Sequence, residues 1–155
     1  MKRKTLVRDV SIVAAGWLLW FGLASAGTYL TLRLTSTGQL MADLESARGD
    51  RGAFDRVVAG YDDPWTLLVE TLPRLLRVVM VFASVGAGVF VGVFASGRSL
   101  WPPALAGVTV AWMVAFIDPA SAASWFNGGA AAITLWASGL FVMRWRRRRR
   151  RAAEA

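Results

Sequence analysis

The chain has 155 residues, 55% of them hydrophobic, and a net charge of +8 with neither cysteine nor histidine. Those two absences exclude disulfides, thiol nucleophiles, thiolate or imidazole metal sites and histidine-ligated haem, and they remove the commonest general base. The apolar share exceeds the roughly 45–50% usual for soluble domains on a count that includes glycine, and mean hydropathy is +0.45.

The apolar residues gather in runs of about twenty, the length that crosses a bilayer core. Residues 1–9 (MKRKTLVRD) are basic, and residues 10–32 carry no charge. A basic start, an apolar stretch and Ala24-Ser25-Ala26 also match a cleavable leader. The uncharged run nevertheless continues through Tyr29, Leu30 and Leu32, 23 residues in all, and that length favours an uncleaved first span.

Residues 33–73 form the one long polar segment, in which seven carboxylates outweigh Arg33, Arg48, Arg51 and Arg56. Leu40, Met41 and Leu44 share a helical face and predict a short surface helix. Asp63 before Pro64 reads as a helix start, because proline suits the first helical position. Trp65, Leu68 and Leu72 follow at helical spacing, so 64–72 reads as a short interfacial helix bent at Pro73 into the next span.

Residues 74–97 are the second expected span, with Arg74 and Arg77 reaching from its outer end toward headgroups. Gly97-Arg98-Ser99 is a tight connection. Residues 100–117 are a short third span with Pro102 and Pro103 in its first turn, and Asp118-Pro119 ends it. Residues 121–143 are the fourth span, and 144–155 (RWRRRRRRAAEA) a basic cap. Short connections pair the second span with the third and the third with the fourth, antiparallel. The expected fold is all-α: a polytopic four-helix transmembrane bundle with one interfacial helix in the first external loop.

Charge orients it. With four crossings, one side holds Lys2, Arg3, Lys4, Arg8, Arg98, Arg144 and Arg146 to Arg151, twelve cations; the other holds Arg33, Arg48, Arg51, Arg56, Arg74 and Arg77, six. Positive loops stay in the cytoplasm, so both termini are expected inside and the acidic 33–73 loop outside, in a cytoplasmic (inner) membrane. The preference for Arg over Lys, 16 to 2, suggests a GC-rich prokaryotic genome.

Small residues recur every fourth position in the second span: Ser84, Gly88, Gly92 and Ser96. The third span has Gly107, Ala111 and Ala115, the fourth Ala130, Thr134 and Ser138, and the first Gly22 and Ala26. In lipid, helices associate by close backbone approach rather than by removing apolar surface from water, which favours such faces. They predict packing within one bundle; the alternative is a glycine-zipper contact with a second copy or a partner.

Ionisable residues inside a span are the first place to look for transport, and here Asp9, Arg33, Arg74, Arg77 and Asp118 all fall at edges. Ser124, Asn127, Thr109 and Thr134 are the remaining polar candidates, expected to bond to helix backbone. Trp65 and Trp125 fit an outer aromatic belt, Trp101 and Trp145 an inner one; Trp17, Trp20, Trp112 and Trp136 lie deeper, as packing or as the lining of an apolar groove. An outer-rim cluster is expected from Arg33, Asp62, Asp63, Glu70, Arg74, Arg77 and Asp118, with Glu70 and Arg74 at i,i+4 spacing. Arg144 and Arg146 to Arg151 suit anionic inner-leaflet lipid; nucleic acid is not expected. Arg48-Gly49-Asp50 resembles an adhesion motif, though an Arg- and Asp-rich loop yields it by chance, and Asp55, Asp62 and Asp63 lack the spacing of a calcium loop.

No nucleophile–base pair, metal set or cofactor motif is visible, so a non-enzymatic role is expected: an accessory or scaffolding subunit, or else a homo-oligomeric channel or small transporter. The layout of several spans and a charged tail is similar to that of phage holins, a similarity of layout alone.

Overall fold

The structure, a computed structural model, describes residues 3–95, 101–117 and 121–154. Among these residues it is 92% helix, without strands. Three helical stretches are long and apolar enough to cross a membrane: Thr5–Leu34, Pro64–Phe94 and Ala122–Ala153. The expected Gly97-Arg98-Ser99 connection, Ser96 of the small-residue stripe and Asp118 lie outside the described residues. The chain divides into two compact units, Met1–Ala24 with Met80–Ala155, and Ser25–Val79.

In the first unit, four helices share one hydrophobic core: α1 (Arg3–Leu34), α5 (Leu72–Phe94), α6 (Trp101–Ile117) and α7 (Ala122–Glu154). Val13 and Trp20 come from α1, Ala83, Ala87 and Val91 from α5, Val110 and Val114 from α6, and Leu135 from α7. Directions follow from the residues that meet. A Cβ on Gly16 would lie 2.5 Å from Val91, and one on Gly86 2.8 Å from Leu23, so position rises along α1 as it falls along α5; the two run antiparallel. Gly88 sits against Leu135 and Ser138, and Gly92 against Gly139 and Val142; α5 and α7 therefore run parallel. Gly107 meets Ala132 while Gly128 meets Ala111, so α6 opposes α7. At 1.5 Å per residue α6 is about 26 Å long, just short of a hydrocarbon core of about 30 Å.

The second unit holds the rest. Thr35 Oγ1 donates to the Thr31 carbonyl at 2.6 Å and accepts from Gly38 N–H at 3.2 Å, so one hydroxyl closes α1 and opens α2 (Ser36–Ser46). Leu40 of α2 is fully buried while Met41 is exposed. Asp50 caps a further helix, α3 (Arg51–Ala59), through Gly52 and Ala53 N–H, and Gly49 before it holds φ +91°, a region that favours glycine. The Arg48-Gly49-Asp50 tripeptide is thus a turn and a cap.

The segment 64–72, expected as a short interfacial helix bent at Pro73 into the next span, is helical and continuous with that span. A first turn, α4 (Pro64–Thr66), passes through a π-helical stretch (Leu67–Thr71) directly into α5, and helix runs unbroken from Pro64 to Phe94. Pro73 supplies the reason. It has no N–H to offer Val69, and its ring crowds that carbonyl. Widening the preceding turn, as in the Leu72 N–H to Leu67 carbonyl bond, absorbs the defect without a break. Likewise α7 does not stop at residue 143: the arginine run continues it to Glu154, since Arg is a good helix former and cations suit a helix C-terminus.

Candidate functional site

The small-residue positions divide by helix. On α5, Ser84, Gly88 and Gly92 all lie on the buried face. A side chain on Gly88 would fall on Ser138 Oγ and the Leu135 carbonyl, and one on Gly92 would come within 2.5 Å of the Gly139 carbonyl. Ser84 meets α1 instead: Trp20 Nε1 donates to Ser84 Oγ at 3.0 Å, and Ser84 Oγ donates to the Met80 carbonyl at 2.8 Å. On α6, Gly107 and Ala115 are buried and Ala111 is half-buried. On α7 the contact face is shifted from the expected one. Ser138 does touch α5, but Ala130 is exposed and Thr134 half-buried. The close contacts run through Gly128, Ala132 and Gly139, the last set between Pro103 of α6 and the Gly88 carbonyl of α5. Small residues occur all round the first half of α7, so spacing alone does not select a face; burial of Leu135 does.

Polar groups in the apolar helices are mostly turned onto their own backbone. Thr109, Thr134 and Ser138 donate to Ala106, Ala130 and Leu135 carbonyls respectively. Of the deeper tryptophans, Trp20 is buried and hydrogen-bonded, Trp17 packs partly buried against the core, and Trp112 and Trp136 are exposed, so the four do not line one groove. Trp112 meets Trp125 edge-on at 6.5 Å. No group of three or more metal-ligating side chains occurs among the described residues.

Glu70 and Arg74 pair at 2.9 Å on the surface. Arg33 lies 5.4 Å over the Tyr29 ring, and Arg77 and Asp62 are exposed. Asp63 instead caps α4. Hydrogen bonds from the Thr66 side chain and N–H hold its carboxyl below the usual carboxylate range. Tyr61 donates to Asp43 at 2.8 Å, which holds the phenol above its ordinary value. A cleft of about 550 Å³ between α2 and α3 includes Met41, Leu44, Arg48 and Phe54.

The inner arginines are not equivalent. The last carbonyls of a helix have no intrahelical donor, and α5 ends with its last ones taken by cations from two other helices. Arg8 donates to Phe94 O at 3.2 Å; Arg146 donates to Gly92 O at 3.2 Å and to Val93 O. Sequence reasoning grouped Arg146 with the lipid-facing tail; no local pattern distinguishes it, because its partner lies 54 residues away. Arg149 stacks on Trp145 at 4.1 Å, and Arg147 is engaged as well. Arg144 and Arg148 line a surface cleft of about 580 Å³ with Trp136, Ala137, Leu140, Phe141 and Trp145.

No family model, curated protein or solved structure matches this chain.

Proposed function

We propose that the chain is a multi-pass protein of a prokaryotic cytoplasmic membrane that crosses four times with both ends inside. On this reading it performs no chemistry and serves as an accessory or scaffolding subunit. The antiparallel–parallel order of α1, α5, α6 and α7 supports an even number of crossings, with α6 as the short third. The acidic segment around α2 and α3 then faces outward and the arginine end of α7 inward, in accord with the charge asymmetry.

The observation that carries the accessory reading is where small and large apolar residues are spent. The glycine positions of α5 and of α6 each close on α7 at backbone contact, which argues against a passage along those two contacts. Large side chains cover the outside: Phe82, Phe116, Phe126 and Phe141 are each more than 70% exposed. Those faces meet lipid or other subunits, and they, rather than the α5 stripe, are the surfaces for partners.

Crosslinking and mass measurement in native-like lipid test this. Co-purification with one larger membrane complex is expected. A defined homo-oligomer that makes liposomes leak would instead assign a channel, built between copies on the exposed faces.

A further inference from the structure

We propose that α7 carries a site for one anionic phospholipid, its phosphate held by Arg144 and Arg148 and one acyl chain lying along Trp136, Leu140 and Phe141. The proposal deepens the reading above and rests on α7 being a span whose C-terminal end emerges at the inner leaflet.

Register builds the site. Trp136, Leu140, Arg144 and Arg148 succeed one another at i+4 and form one ridge; Ala137, Phe141 and Trp145 form the next. Together they line the cleft of about 580 Å³. Its lower part is apolar, with Ala137 leaving room between bulkier neighbours, and its upper part is cationic. From Trp136 to Arg144 the helix rises about 12 Å, close to the depth of one leaflet's hydrocarbon, about 15 Å. Trp145 is half-exposed at the junction, where an amphipathic ring suits the boundary.

Charge selects the occupant. No carboxylate occurs between Ala122 and Ala153. Arg146 is spent on α5, Arg149 on Trp145, and Arg147 is engaged. Arg144 and Arg148 make no hydrogen bond or ion pair with a described residue. Two like charges at i,i+4 repel. A phosphodiester between them relieves that repulsion and accepts paired N–H bonds from planar guanidinium groups. Diffuse attraction to an anionic surface would instead make every exposed arginine equivalent.

The test compares two double variants with the same charge loss: Arg144→Gln with Arg148→Gln, and Arg150→Gln with Arg151→Gln. Each is reconstituted in mixed phosphatidylglycerol and phosphatidylcholine vesicles and released for native mass spectrometry. The unchanged chain and the 150/151 variant are expected to retain one phosphatidylglycerol, and the 144/148 variant to retain it about tenfold less or worse. Equal loss in both variants, or no selective retention by the unchanged chain, overturns the site. Displacement of the lipid by inorganic phosphate overturns it too, in favour of a soluble phosphate. Carbonate extraction separates the two levels: an unchanged chain that leaves the membrane refutes the span reading, whereas a chain that stays but holds no anionic lipid refutes the site alone.

Discussion

Trp20 and Ser84 form a buried polar contact between α1 and α5, in addition to the exposed bond from Arg8 to the Phe94 carbonyl. The Trp20 Nε1 proton has one acceptor, Ser84 Oγ, while Ser84 keeps a second bond to Met80 if the tryptophan is lost. Ser84→Ala therefore strands a buried donor and is expected to cost about 1–3 kcal/mol. A double-mutant cycle with Trp20→Phe should return a coupling of about 0.6 kcal/mol, the usual size for such bonds between membrane helices; denaturation in mixed micelles reads both. Gly88 presents the opposite constraint. Its neighbours are the Leu135 backbone and Ser138, which cannot rotate away as a long side chain can. Gly88→Leu is expected to cost at least the upper end of the ordinary overpacking range of about 1–3 kcal/mol and to abolish crosslinking between cysteines placed on α5 and α7. Unchanged thermal stability and crosslinking would remove the stripe from the packing. That Gly88 needed a close neighbour was legible from its spacing. That the neighbour would be α7 was not, because the rule that short connections join neighbours favours α6.

Helix ends were legible in the sequence where a local signal sets them. Asp63-Pro64 starts α4 as expected, and its capping bond gives a pH dependence with a definite sign. The carboxyl is held below its unfolded value, so its stabilisation is fully present above about pH 3.9 and is lost as pH falls through the depressed folded value. Amide exchange at Thr66 should accelerate over that acidic window and not between neutral pH and pH 5; Asp63→Asn keeps the acceptor and should flatten the profile. Helix α3 escaped sequence reading because it buries none of its apolar residues fully; its clear signals were the Gly49 turn and the Asp50 cap. Asp50→Ala is expected to cost about 1 kcal/mol, seen as fraying of residues 51–54. The form of the junction at Pro73 was not legible for a different reason. Proline forbids one hydrogen bond, but sequence does not say whether a chain answers with a break or with a wider turn.

At the scale of the whole chain, apolar run length identified three helices able to span a bilayer, and the core places residues from these three and from the shorter α6 together. The count of crossings turns on α6, which has 17 residues and no charge between Trp101 and Ile117. If α6 crosses, three helices separate α3 from the arginine end of α7, and the two must lie on opposite sides of the membrane. If it does not, they share a side. The chain has no cysteine, so single reporters can be introduced cleanly at Ala59, the end of α3, and at Ala153. The most direct measurement is labelling of Ala59→Cys and Ala153→Cys with a membrane-impermeant maleimide on intact cells and again after permeabilisation. Four crossings with the arginines inside require Ala59→Cys to react on intact cells and Ala153→Cys only once the membrane is opened. Reaction of both from the same side would contradict the four-span topology.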